Sequence, residues 1–310
     1  MEKKKNLVSI IVCTKDRHKD LEKNLKSLSR QTYRPIEILV IDKSFGVETK
    51  NLCKKYKNVK YFRQKGSGLP NARNFALKKA KGEIIIFLDD DCTVNKNYVK
   101  EIVNGFKKLK NAGGLAGRVF QKSYAGQRKG VIYTLGKIYY KFFGISGIFI
   151  TLDGIHKVLP TGFTTLNWDK IKKTEEVDWI GGCGMSYPIK VIEDVGNFNE
   201  QLIGNAYYED VEYSYRVKKA GYKLYILRKA TIKHFITPVS RDSFPKLKYY
   251  QLYNQKILFK SCIYDGTLLQ LLKHKLAHLA LFLPFLICSI YYRNLEILKA
   301  YFCAELGLKY

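Results

Sequence analysis

Acidic residues are scarce in this chain: 27 Asp and Glu stand against 55 Lys and Arg in 310 residues, a formal net charge of +28. That balance excludes basic partners and describes a surface that attracts polyanions: nucleic acid, anionic lipid headgroups or phosphate-bearing small molecules. Proline is also rare, with seven residues, while 46% of the chain is hydrophobic. Together these exclude a disordered or polyproline chain and leave enough apolar material for a sizeable core. The seven cysteines are odd in number and scattered, without a CxxC pair or metal-ligand spacing. A disulfide framework is thereby excluded, and reduced thiols in a cytosolic setting are expected. No internal repeat or low-complexity tract is present. The first apolar run, LVSIIVC at 7–13, is short and reads as a strand, so a signal peptide and export are not expected. Long apolar runs are lacking as well. LAHLALFLPFLICSIYY at 276–292 has 17 residues and contains Pro284, at or below the roughly 20 residues of a membrane span.

What is present is an alternation. Residues 7–13, 36–41 (IEILVI) and 83–88 (EIIIFL) are β-branched and apolar at nearly every position, as strands covered on both faces are. Between them, Leu21, Leu25 and Leu28 recur at helical spacing, and so do Ala72, Phe75, Ala76 and Ala80, with Gly82 as a stop. VKYF at 59–62 reads as a further strand. Strand alternating with helix over the first 110 residues predicts an α/β, Rossmann-like fold, a mostly parallel sheet flanked by helices whose ligands bind at the carboxyl ends of the strands. At those ends stand Thr14 to Asp16, Asp42, and the triplet Asp89-Asp90-Asp91. Farther on, VDWIGGCGMSYP reads as strand and turn, YYEDVEYSYRVKKAG as a helix ended by Gly221, and YKLYIL and ATIKHFI as two strands.

Asp89 and Asp91, one residue apart at a strand end, can share a hard divalent cation such as Mg²⁺ or Mn²⁺. A solvated acidic turn, or capping of a helix near Asn95, explains a lone triplet equally well. Glu209, Asp210 and Glu212 open a helix, where acids complement the helix dipole without further role.

Five pieces in order, VSIIVCTKDR, ILVIDKS, LPNARNFALKKAKGEIIIFLDDDC, WIGGCGMSYP and YYEDVEYSYRVKKAGYKL, resemble family 2 glycosyltransferases, the inverting nucleotide-sugar enzymes of GT-A fold. The likeness covers roughly residues 6 to 120 and 177 to 236. It implies that Asp42 reads the nucleotide base and that Thr14, Asp16 and Arg17 line the same pocket. The triplet would be the family's DXD element, with Asp91 as leading metal ligand and Asp89 near both the ribose and the metal; a triplet leaves Asp90 open as an alternative to Asp91. Arg73 would lie near the donor diphosphate, its alternative being a solvated helix face. The resemblance makes Asp210 the general base, Glu209 an acceptor-positioning residue and His234 a third metal ligand, Mn²⁺ or Mg²⁺ being the cofactor. Gly181, Gly182 and Gly184, Gly182 above all, would let the backbone pass close to donor sugar and acceptor, or form a plain tight turn. The chain departs from the family in Lys43, which follows Asp42 where a second acid or an Asn is common.

The resulting expectation is a metal-assisted hexosyltransferase with a GT-A domain over 1–240. It has a nucleotide-sugar half (1–120), an insertion without motifs (120–165), an acceptor half (166–240) and a C-terminal helical extension (241–310). UDP is the expected nucleotide, dTDP and GDP remaining open, and the acceptor a glycan or lipid-linked hydroxyl in polysaccharide biosynthesis. The excess charge, with 276–292 and 131–150, points to the cytoplasmic face of an anionic membrane. Two rivals stand: a nucleic-acid-binding protein, suggested by KKYKNVKYFRQK at 54–65 but without any RNA- or DNA-binding motif, and a catalytically inactive scaffold of the same fold.

Overall fold

The computed structural model describes residues 6–121 and 155–310. The segment 131–150 and most of the insertion therefore lie outside the described residues. The chain divides into two compact units. The first takes in the described residues up to 121 with 168–200 and 209–240; the second takes in 155–167, 201–208 and 241–310.

In the first unit, β1 (Val8–Thr14), β2 (Ile36–Asp42), β3 (Val59–Arg63) and β4 (Ile84–Asp89) form the parallel half of one sheet, in the order β3-β2-β1-β4. Nearly every residue of β1, β2 and β4 is buried, as their unbroken apolar composition requires of strands covered on both faces. Helix α1 (His18–Ser29) buries Leu21, Leu25 and Leu28, the predicted stripe. Helix α2 (Glu48–Cys53) follows β2, and α3 (Leu69–Leu77) stops short of Ala80. Gly82 is needed for space: a Cβ there would lie 2.4 Å from the Ser9 backbone nitrogen.

Register sets the rim. Thr14 stands opposite Asp42, and Cys13 opposite Asp89, so three strand ends reach the same level. Beyond β4 the sheet is mixed, with β6 and β9 pairing in parallel and the other pairs antiparallel. The short β5 (Cys92–Val94), helix α4 (Tyr98–Lys108), β6 (Ala112–Gln121), β7 (Glu175–Val177), β8 (Met185–Pro188), α5 (Ile189–Val195), α6 (Glu209–Lys219) and β9 (Lys223–His234) complete the unit. β8 runs antiparallel to β4, so the Gly181–Gly184 turn that precedes it arrives beside the carboxyl end of β4. β5 pairs antiparallel with β9, which sets Cys92 directly opposite His234. The two strands expected over 222–236 are one, because a register shift in the pairing of β6 with β9 absorbs residues 228–230 without breaking the strand.

That shift depends on Gly117. A Cβ there would stand 2.6 Å from the Ala230 carbonyl oxygen and 2.6 Å from the Tyr98 ring. Gly117→Ala is expected to destabilise the protein by about 3 kcal/mol, since backbone on one side cannot give way. The same change at Gly181, whose nearest neighbours are 3.4 Å away, is expected to cost under about 1 kcal/mol. Urea unfolding of the two variants checks the contrast.

In the second unit, α7 (Phe244–Leu258), a π-helical turn (Phe259–Ile263), α8 (Leu268–Ala280), α9 (Phe282–Tyr291) and α10 (Glu296–Leu306) surround an aromatic-rich core that includes Phe163, Tyr249, Phe285 and Tyr301. Residues 155–167 and 201–208 belong to this unit: the Asn254 amide bonds both backbone groups of Ile203, and Gln255 donates to Thr161 O.

Candidate active site

The acidic triplet divides three ways. Asn24 on α1 donates to the carbonyls of Asp89 and Cys92, 3.0 Å each, and holds the turn between β4 and β5 closed. The three carboxylates then diverge, which is how adjacent like charges coexist here. Asp89 stays about one-third exposed at the rim. Asp90 turns inward and accepts from Thr14 Oγ1 at 2.7 Å and Arg17 Nη1 at 3.2 Å. Burial pushes its pKa up to about 7, against the opposing pull of Arg17 and Thr14. Asp91 turns toward β9: its Oδ1 lies 3.1 Å from His234 Nε2, and its Oδ2 accepts from Thr237 N–H at 3.1 Å. Burial works against ionising Asp91, but the hydrogen bond and charge of His234 hold its pKa below the ordinary value. Conversely, burial disfavours a charged His234 ring, yet Asp91 raises its pKa to about 9. Ile236, a β-branched residue at φ 47°, turns the backbone between His234 and Thr237.

The donor atoms of Asp89, Asp91, Cys92 and His234 all lie within 4.8 Å of one another, and those of Cys92, Cys183 and His234 form a second, overlapping group. Asp90 belongs to neither group. Two rim carboxylates, one of them open to solvent, and an imidazole form a donor set suited to Mn²⁺ or Mg²⁺. The two thiols went unseen in the sequence. They meet only because β5 pairs with β9 and the 181–184 turn sits beside them, and neither pairing leaves a local spacing to read. All seven cysteines are free thiols, as expected.

On the other side of the first strand end, Asp42 is fully buried, its carboxylate accepting from Tyr61 Oη at 2.9 Å and from Ser44 N–H at 2.8 Å. Asp16, at φ 55°, donates its N–H to Ser44 Oγ and accepts from Phe45 N–H. Thr14, Asp16 and Asp42 thus share one hydrogen-bonded rim with Ser44, a residue the sequence did not single out. Lys43 reaches across to Gly66 O at 2.8 Å.

Arg73 lies on the inner face of α3, buried to 3% exposure, so the solvated-face alternative fails. Its guanidinium is in contact with the Glu209 carboxylate, 3.8 Å from Asp89 Oδ1 and 3.4 Å from Gly182 O. Phe87 and Phe198 sandwich it at 5.5 and 5.6 Å. One cation therefore joins the end of β4 to the start of α6, whose Glu209 lies 136 residues after Arg73 itself. Glu209 keeps its Oε2 buried without a hydrogen-bond partner. Asp210, the next residue, accepts from Gly182 N–H through Oδ2 at 2.9 Å and from Val211 N–H through Oδ1 at 2.9 Å. Some of its surface stays open, but its carboxyl sits deep enough that burial raises its pKa above the ordinary value; Gly182 and Arg73 oppose that rise. Gly182 is close to both: a Cβ there would lie 3.3 Å from Arg73 Nη2 and 3.6 Å from Asp210 Cβ. Glu212 is not part of this cluster. It forms an ion pair with Arg216, a structural role within the helix.

The family described as Glycosyl transferase family 2 matches residues 9–162. The GalNAc(5)-diNAcBac-PP-undecaprenol beta-1,3-glucosyltransferase of Campylobacter jejuni is 40% identical over 90 residues, 27% of this chain and 29% of that protein. Such sequence matches span less than a third of the curated relatives' own length. Among solved structures, residues 1–349 of Staphylococcus aureus TarS in complex with UDP-GlcNAc superpose with a TM-score of 0.55 at 15% identity, over 98% of this chain and 93% of that one. The mannosyltransferase PcManGT of Pyrobaculum calidifontis, in complex with GDP-Man and Mn²⁺, gives 0.52 at 14% identity, over 96% and 85%. The fold is that of the GT-A glycosyltransferases.

Proposed function

Through residues 9–162 the chain belongs to glycosyl transferase family 2, and we propose that it is an inverting glycosyltransferase moving a sugar from a nucleotide-sugar, a UDP-sugar, to a hydroxyl acceptor. The observation that carries this reading is Arg73, whose buried guanidinium ties Asp89 of the triplet to Glu209 beside Asp210. A donor-binding acid and a candidate base are thereby held to one anchor.

Thr14, Asp16 and Asp42 take the nucleoside, with Arg17 holding Asp90 in place behind them. The likeness to TarS with its UDP-GlcNAc supports UDP as the nucleotide. Asp91, Asp89 and His234 would hold a divalent cation, which supplies charge neutralisation for a departing pyrophosphate. Asp210 accepts the proton of the attacking hydroxyl as the new glycosidic bond forms and the bond to the nucleoside diphosphate breaks. The Gly182 N–H aims the Asp210 carboxylate. Glu209 Oε2, unpartnered and buried, positions the acceptor. Arg73, committed to two carboxylates, acts as a positioning residue for both ends of the site. A lipid-linked glycan acceptor is supported by the name of the Campylobacter relative, and the reading places its encounter at the cytoplasmic face of a membrane.

The reading is tested by melting the protein with Mn²⁺ and a panel of UDP-, dTDP- and GDP-sugars, and by following slow hydrolysis of each. One nucleotide is expected to raise stability by about 2–3 kcal/mol at a hundredfold excess over its Kd, with release of its diphosphate. Stabilisation by short RNA or DNA, and by none of the nucleotides, would establish the nucleic-acid rival.

A further inference from the structure

The stretch Leu268–Tyr291 is long and apolar enough to cross a membrane, yet only 28% of its most apolar window is buried in the protein. The inward side mixes apolar core residues, Ala277, Leu281 and Phe285, with buried polar ones, Gln270, His274, His278 and Ser289. Gln270 donates to Pro160 O and Ile263 O, and His274 Nδ1 lies 2.9 Å from Thr161 O. His278 lies 2.6 Å from both Glu305 Oε1 and Gln255 Oε1. The outward side is aliphatic. Leu272, Leu276, Leu279, Leu283, Ile287 and Ile290 are 38–69% exposed and recur at intervals of four, three, four, four and three residues. That period keeps them within an arc of roughly 100° along a straight helix. Leu281 keeps helical dihedrals between α8 and α9, so the stripe is unbroken.

We propose that this stripe is a membrane-contact surface on which α8 and α9 lie in the plane of an anionic bilayer, rather than crossing it. Four observations select this occupant. A spanning helix would carry Gln270, His274 and His278 into hydrocarbon, along with Gln255 and Glu305, the partners of His278, at a prohibitive desolvation cost. Lys273 and Lys275 are exposed and fall on opposite edges of the stripe, where their stems cover apolar surface and their ammonium groups reach headgroups. Residues 241–310 carry ten Lys and Arg against four Asp and Glu, so the surroundings complement negative lipid. Exposed Tyr291 and Tyr292 at the end of α9 suit the headgroup boundary. This surface involves none of the donor chemistry and stands or falls apart from it.

The test is flotation of the full-length protein with phosphatidylcholine vesicles, with and without phosphatidylglycerol, alongside sedimentation of the free protein. Wild type is expected to float with the anionic vesicles at low salt. The combined Leu276→Glu, Leu279→Glu and Leu283→Glu variant is expected to lose partition by roughly 100-fold or more, with its melting temperature and donor hydrolysis retained. Lys273→Ala with Lys275→Ala is expected to weaken partition by roughly fivefold per lysine. Flotation that survives the triple substitution and resists alkaline carbonate would establish a span. Failure of wild type to float overturns the proposal, and so does a stable dimer that the triple variant disperses.

Discussion

Asp210→Asn protein is expected to transfer sugar about 1,000-fold more slowly than wild type, within the range that removal of a general base produces, while donor binding is unchanged. The substitution is close to isosteric. Gly182 N–H bonds one carboxylate oxygen and Val211 N–H the other, 2.9 Å each; the single amide oxygen of Asn replaces the acceptor for Gly182 and so keeps the 181–184 turn, while Val211 N–H gives up its side-chain partner. What is lost is a group able to take a proton. The pH dependence follows from the same geometry. Burial raises the Asp210 pKa, and the active form is the unprotonated one. Activity therefore falls as pH drops through a value above the ordinary 3.8, earlier than an exposed aspartate would allow. The kcat/KM profile checks this: an acid limb in wild type that vanishes in the residual activity of Asp210→Asn identifies the group. Undiminished transfer by Asp210→Asn would exclude Asp210 as the base. Absence of transfer by wild type across acceptors, with nucleotide still bound, would instead describe the inactive scaffold.

The residues that could be read from the sequence are those at strand ends. An apolar run that stops at an acid marks both the strand and its boundary, which is why Thr14, Asp42 and Asp89 were assigned to one rim that the register brings level. Residues whose role depends on pairing between distant segments were not legible. Arg73 stands out only through the family resemblance, and its contact with Glu209 follows from how β8 and α6 return to the sheet. Cys183 meets Cys92 through the β5–β9 pairing and a turn between two other strands. The α8–α9 segment points toward a membrane already in the sequence, but a run that is apolar nearly all round does not say which face is outward. Gln270, His274 and His278 face inward, beside Ala277, Leu281 and Phe285, because carbonyls, Gln255 and Glu305 satisfy them. The leucine stripe is thereby left exposed.

The order of acids in the triplet can be decided by metal affinity. Asp91→Asn is expected to weaken Mn²⁺ binding by about 10- to 100-fold, with a comparable or larger fall in kcat/KM, because one anionic oxygen is taken from a set of three ligands. An asparagine retains an oxygen for the Thr237 N–H, so the turn after β9 should keep its shape. Asp90→Asn makes the contrast. Its carboxylate faces Thr14 and Arg17, outside the group that includes His234, and burial already holds its pKa near neutrality. Mn²⁺ affinity should change by less than about threefold, while stability falls by about 1–3 kcal/mol as the charged partner of Arg17 is removed. Titration by Mn²⁺ electron paramagnetic resonance, without donor or acceptor, reads the ligand directly and separates it from losses in turnover. If Asp90→Asn weakens the metal and Asp91→Asn does not, the cation sits one position earlier in the triplet, nearer Thr14, and the pairing of Asp91 with His234 is structural.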